Sequence, residues 1–267
     1  MYLEVSGVGV RCLTSGHAVI AEWQDLVMTD DRVMARARGL WEQLAAVPLS
    51  FPSSGGIAIA ASPGSRLCPP SWAGIVQLGD AAIVTAPGEA QAGLLRQALE
   101  QVPVPSLVCS SELRARVAVT DVLGPAALAY LSRDDFRPGL DGARITSLPP
   151  VHGDIRRLVE SVGSDDAGES GIEEIDSPVF VVRDGSEVLA AAGYELWPSS
   201  TAHLCVLTVP QRRGRGLARQ VASAAVAHAL DAGLLPQWRA RPPGSRRVAA
   251  ALGFRAMGGQ LSVRLGG

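Results

Sequence analysis

The chain has 267 residues, 47% hydrophobic and 19% charged, enough apolar material for one large core or two modest ones. Its formal net charge of -2 gives no global attraction to nucleic acid or to an anionic membrane. No apolar run reaches the roughly 18 residues of a transmembrane helix, and Met1-Tyr-Leu-Glu opens no signal peptide, so a cytoplasmic protein is expected.

Residues 1 to about 50 read mostly as helix. Ala18 to Leu26 and Asp31 to Val47 carry apolar residues at helical spacing, with Thr29-Asp30-Asp31 as an N-cap cluster. Ile57 to Ala61 reads as a short strand, and 62–73 as irregular. Ala81 to Ala86 reads as a strand ended by Pro87, and Gly88 to Gln101 as a helix. Val104 to Val108 and Val117 to Val122 are further strand candidates. Pro149-Pro150 closes a charged, Pro-rich stretch and marks a domain boundary. Beyond it comes a helix over Asp154 to Val162, then an acidic run from Glu160 to Asp176 that reads as a solvated face or loop. Val179 to Arg183, Asp184-Gly185 and Glu187 to Trp197 carry a hairpin signature. Leu204 to Val209 reads as a buried strand, the Ala-rich segment from Leu217 to about Ala232 as a helix, and Leu234 to Arg239 as the next strand. A short helix over Ser245 to Ala251, then Leu252-Gly253-Phe254, leads to a last strand, Gln260 to Leu265.

All 24 basic residues are arginine, which removes every lysine-based mechanism. The four cysteines, Cys12, Cys68, Cys109 and Cys205, are far apart and lack zinc-ligand spacing. Buried free thiols and no metal are expected.

The most informative stretch runs from His203 to Ala218. A strand ends at Pro210, and Gln211 to Gly216 form a turn rich in Arg and Gly before a helix. A helix start offers unpaired N–H groups and a positive dipole end, and glycines let a phosphate approach the backbone. Arg212, Arg213 and Arg215 add charge suited to phosphate oxygens. A dinucleotide fold would need a third glycine where Arg219 stands, and a P-loop would need a lysine.

Gln211, Gly214 and Gly216 after a strand ending in Val209-Pro210 resemble the acetyl-CoA motif of the GNAT N-acetyltransferase superfamily. The Leu234-to-Ala240 strand and Ser245 with Leu252-Gly253-Phe254 extend the resemblance over about 150–265. It implies an α/β (α+β) fold, a GNAT-like mixed sheet flanked by helices. It further implies that Leu207, Thr208 and Val209 pair through their backbone with the pantetheine arm of acetyl-CoA. Arg212, Arg213, Gly214, Arg215, Gly216, Leu217 and Ala218 would hold its phosphates, and Ser245 would lie near the sulfur. The chain departs from the family where Ala249 stands in place of a tyrosine that protonates the leaving thiolate, and where Pro242-Pro243-Gly244 replaces an asparagine. Solvent, Ser245 or Cys205 is left for that proton. Glu195 and His203 are the candidate bases, and His228 reads as structural.

Ala82-Ile-Val-Thr-Ala-Pro87 echoes Cys205-Val-Leu-Thr-Val-Pro210, and Leu123-Gly124-Pro125 echoes Leu252-Gly253-Phe254. This points to a tandem pseudo-repeat. Residues 1–145 would be a degenerate GNAT-like or accessory domain and 150–267 the acetyl-CoA-binding catalytic domain. Glu89 and a lack of arginine after Pro87 disfavour phosphate in the first copy. The expected activity is acetyl transfer from acetyl-CoA to a primary amine of a small molecule or peptide. The alternative is a non-catalytic acyl-CoA-binding regulatory module. No nucleic acid, membrane or metal is expected, and the chain would be a monomer (a pseudo-dimer) or a homodimer.

Overall fold

The computed structural model describes residues 31–139 and 144–266. The Ala18–Leu26 helix, the cap cluster and Cys12 lie outside the described residues or their described side chains. In chain order the elements are α1 (Asp31–Leu44), β1 (Gly56–Ala61), β2 (Ala73–Leu78), β3 (Ala81–Ala86), α2 (Glu89–Leu99), α3 (Ser110–Arg114), β4 (Val119–Tyr130), β5 (Ile145–Leu148), α4 (Gly153–Ser161), α5 (Ser164–Ser170), β6 (Val179–Asp184), β7 (Glu187–Trp197), β8 (Thr201–Thr208), α6 (Leu217–Asp231), β9 (Leu235–Ala240), α7 (Pro243–Ala251) and β10 (Arg255–Leu265).

The strands join in one mixed sheet in the order β1-β3-β2-β10-β4-β9-β8-β7-β6-β5. Alternation along each strand sends apolar side chains to both faces, so both need cover. On one face α6 and α7 pack on Ala190, Ala192, Leu204 and Trp238, while α2 and α3 cover Ile75, Val84 and Leu261. On the other, α1 packs on Val76, Leu128 and Tyr130, and α4 on Val181, Ala191 and Leu207. Helical spacing in α1 aims Val33, Ala37, Leu40, Trp41 and Leu44 at that core; Trp41 is fully buried.

The two halves share the sheet. β4 pairs antiparallel with β9 over Ala127–Tyr130 and with β10 along most of its length. β10 pairs on its other edge with β2. The final strand of the chain is therefore held by two strands of the first half.

The expected strand at Val104–Val108 is a 3-10 turn instead. Pro103 and Pro105 supply no N–H for a ladder and fix φ near the helical range. Sequence patterning also missed β2. Gly74 interrupts its side-chain signal, yet a Cβ there would stand 2.8 Å from Leu67 Cβ, so the close approach of the preceding loop requires glycine.

The sequence echo has a geometric counterpart with one decisive difference. β3 lies between antiparallel β2 and parallel β1, as β8 lies between antiparallel β7 and parallel β9. However, β1 and β3 stay paired from Gly56↔Ala81 to Ala61↔Ala86, whereas β8 and β9 pair only from Thr201↔Leu235 to His203↔Gln237. The first half is zipped shut where the second half is open.

Candidate acyl-CoA site

The opening begins directly after His203. β8 continues to Thr208, while β9 beyond Gln237 stays paired only on its other edge, with β4, placing Trp238 opposite Ala129 and Ala240 opposite Ala127. The edge of β8 facing β9 is thereby left without a strand, which is the arrangement an extended ligand can join by strand addition. A cleft of about 510 Å³ fills the fork.

At the far end of β8, Pro210 ends the strand and a 3-10 turn leads to Gly214 (φ 75°) and Gly216 (φ 77°). Both are left-handed, a conformation glycine adopts without cost. Gly216 caps α6 with no side-chain hydrogen bond, and Gln220 N donates to Gly216 O as the first helical bond. The N–H groups of Leu217, Ala218 and Arg219 thus lack helical acceptors and sit at the mouth of the cleft. Such a helix start, with its positive dipole end, has the geometry to hold an anion.

Charge around the cradle is partly compensated. Arg213 pairs with Asp166 at 2.8 Å and reaches Thr208 O from Nε at 3.4 Å; Arg212 pairs with Asp184 at 3.5 Å. Arg241 pairs with Glu169. The acidic stretch expected to be a solvated face is therefore, at α5, a partner of these arginines. Arg215 has no carboxylate partner among the described residues and is exposed.

Of the residues anticipated for the cofactor, Leu207, Thr208, Arg212, Arg213, Gly214, Gly216, Leu217, Ala218 and Ser245 line the cleft. Val209 is buried and Arg215 is exposed; neither lines it. Ser245 Oγ accepts from Trp238 Nε1 at 2.9 Å, which fixes the hydroxyl at the base of α7. Ala249 is packed in the core with Trp238, Leu252 and Phe254, and its methyl group offers no proton where the family carries a tyrosine. Tyr130 and Tyr194 are committed elsewhere: Tyr130 OH receives Trp41 Nε1 at 2.6 Å, and Tyr194 OH meets His228 Nδ1 at 2.9 Å. Burial pushes the Cys205 thiol up to about 12, with nearby Glu195 and Glu174 adding to the shift, so it is too weak an acid to protonate a leaving thiolate.

His203 and Glu195 face each other across β7 and β8, and His203 faces Gln237 across β8 and β9. His203 Nδ1 lies 2.5 Å from Gln237 Oε1. With the amide oxygen accepting, Nδ1 carries the hydrogen and Nε2 the lone pair. Trp197 stacks on the imidazole at 4.1 Å and donates to Glu195 Oε2 at 2.7 Å. Burial, and then the Arg239 cation, lower the His203 pKa to about 3, so it is neutral at physiological pH. A second cavity, of about 290 Å³, lies at the apex of the fork, and His203 lines it; Glu195 lines neither cavity. Trp197, Gln237 and Arg239 complete this cluster. Sequence reading missed them as site residues, because only strand register puts them beside His203.

Comparison with known proteins agrees with this geometry. Residues 179–258 match the family model of the GNAT acetyltransferases. That segment runs from β6 into β10 and contains the whole fork. The C-terminal region thus carries a match to the GNAT acetyltransferase domain, a family of acyl transfer. Among solved structures the chain is similar to a GNAT-family acetyltransferase from Novosphingobium aromaticivorans (21% identity, 54% of this chain and 65% of that one, TM-score 0.43). It is also similar to a GCN5-related N-acetyltransferase-like protein from Streptococcus suis (15%, 87% and 98%, TM-score 0.46) and to a tandem GNAT protein of the clavulanic acid biosynthesis pathway (14%, 91% and 98%, TM-score 0.43). The match spans 65%, just under two thirds, of the Novosphingobium chain. A search of curated proteins gave no match. Among the described residues no cluster suits a metal ion, and no helix is long and apolar enough to cross a membrane.

Proposed function

We propose that residues 150–267 use acetyl-CoA to acetylate a primary amine, and that residues 1–145 complete the sheet and wall the acceptor side. The observation that carries this reading is the fork between β8 and β9 ending at an uncapped, glycine-led helix start. The pantetheine arm would run along Leu207 and Thr208, and the pyrophosphate would sit on the first turn of α6 beside Arg212 and Arg213. The amine nitrogen then attacks the thioester carbon; a C–N bond forms, the C–S bond breaks, and the thiolate takes a proton from water or Ser245. Holding the two reactants at the fork supplies much of the rate gain, since positioning converts a bimolecular encounter into an internal one. His203, held neutral, hydrogen-bonds at the apex, and Glu195 takes the amine proton through water. The free thiols of Cys68 and Cys205 accord with a reducing compartment, and we infer a cytoplasmic protein.

Calorimetric titration with acetyl-CoA tests the cofactor. Binding that is weakened by Arg213→Ala and lost in Gly214→Glu is expected; no binding, or indifference to both, refutes the reading. The buried Ala249 favours a second reading, a non-catalytic acyl-CoA sensor. A free-thiol assay over amine acceptors separates the two, because a sensor binds without turnover.

A further inference from the structure

Three arginines remain that the cofactor does not use. Arg66, Arg239 and Arg241 line the second cavity, at the apex of the fork. At about 3.3 Å per residue, the five steps of β8 from His203 to Thr208 put the phosphate turn about 16 Å from the apex. The charge here is therefore not there for the pyrophosphate.

The arrangement is built. Arg239 Nη1 donates to Gln260 Oε1 at 3.4 Å, and its guanidinium lies 5.6 Å from the Trp197 ring. Gln260 is 7% exposed and is itself fixed, donating from Nε2 to Leu67 O at 2.6 Å. Arg66 precedes Leu67 in the same loop, and its backbone N–H anchors that loop to Leu44 O at 2.8 Å. Arg241 is paired with Glu169, whereas Arg66 and Arg239 have no carboxylate partner among the described residues. The guanidinium groups of Arg66 and Arg239, neither held in an ion pair among the described residues, thus face a cavity large enough for a small molecule and too small for a folded chain, with Glu174 and Glu195 near enough to Arg239 to act on its charge. A guanidinium fork matches a carboxylate in bidentate fashion. Leu204 and Arg239 line both cavities, so the second cavity adjoins the apex end of the acyl cleft.

We infer that the acceptor is a small amino-acid-like amine whose anionic group is held by Arg66 and Arg239, with its amine at the fork. This rests on the acyl-transfer reading for the role of the amine end. The anion site itself comes from the first half of the chain as much as from the second.

The experiment titrates matched probes into the full-length chain by calorimetry, with and without coenzyme A. The probes are glycine, β-alanine and L-glutamate, each against its carboxamide, and O-phosphoethanolamine against ethanolamine. At least one carboxylate should bind about tenfold tighter than its amide, as expected for one charge-assisted pair. Arg66→Gln, on an exposed loop, and Arg239→Gln should each reduce that ratio to about threefold or less, with cooperative unfolding retained as the control for folding. A preference confined to O-phosphoethanolamine assigns the same anion site to a phosphate and overturns the amino-acid class. Amides binding as well as carboxylates, or no probe binding, overturns the inference. Failure of acetyl-CoA to bind in the earlier titration refutes the transferase reading instead, and leaves the probe titrations fully readable.

Discussion

His203 concentrates the residue-scale questions. Its imidazole is held neutral with a pKa near 3, against 6.5 for a free histidine. Between those values the unfolded chain binds a proton that the folded chain refuses. Stability should therefore fall by about 1.4 kcal/mol per pH unit from this group as the pH drops below 6.5, and be unaffected by it above 6.5. His203→Gln removes this dependence. Urea unfolding at about pH 6.5 and pH 5 should show the wild type losing the greater stability; parallel losses would show that the imidazole is not held neutral. Gly216 offers a second test. Its φ of 77° is left-handed, while a Cβ there would meet nothing within 4 Å. Gly216→Ala should cost about 1 kcal/mol through backbone strain alone, read as a lower urea midpoint with an unchanged slope. Gly214 and Gly216 were legible in the sequence because paired glycines between a strand and a helix mark a tight turn whose backbone a ligand can approach. Gln237 and Arg239 were not, since nothing local distinguishes them from ordinary strand residues.

At the scale of elements, α5 is the piece whose role the sequence hid. Acidic composition marks it as solvated, and it is; yet Asp166 and Glu169 reach the arginines that border the acyl cleft. A phosphate arriving at Arg213 must displace Asp166. The pair is about half exposed, so its worth is on the order of 0.2–1 kcal/mol. Asp166→Asn should then tighten acetyl-CoA binding about 1.5- to 5-fold at low ionic strength. The gain should shrink in high salt, where exposed charges are screened. A titration series over salt checks both; weaker binding in Asp166→Asn would mean that the helix supports the cleft rather than competing for it. The β8–β9 fork opens on one edge of β9 only. β9 stays paired with β4 on one edge through Ala240, while on its other edge its pairing with β8 ends at Gln237.

The whole molecule explains why the two halves belong together. The described pairing of β10 is with β2 and β4, both from the first half. Ala129 and Leu131 of the first half pack in the core under α6, and Leu235 and Trp197 of the second pack in the core under α1. A chain of residues 150–267 alone would expose the edge of β9 and leave β10 without a ladder, a surface prone to aggregate. Expressed alone, it should be insoluble or lack a cooperative thermal transition, and coexpressed residues 1–149 should restore both. A soluble, cooperatively folding fragment that binds acetyl-CoA would show that the halves are independent. The zipped β1–β3 pair also gives the first half no fork of its own. One acyl site per chain is the expected stoichiometry in calorimetry.

The sequence by itself determined most of the elements and marked the glycine-arginine turn as a candidate cofactor cradle. Hydrophobic period, proline stops and a glycine-arginine turn are local signals, and a helix start with unpaired N–H groups is a local structure. It also registered an echo between the halves, through two strands that each end in proline before a helix. Only the tertiary structure decided that β4 sits between β9 and β10, that α5 pairs with the cradle arginines, and that Arg66 meets Arg239 at the apex of the fork. Those facts join residues up to 173 positions apart, and strand order and register, which bring them together, leave no trace in local composition.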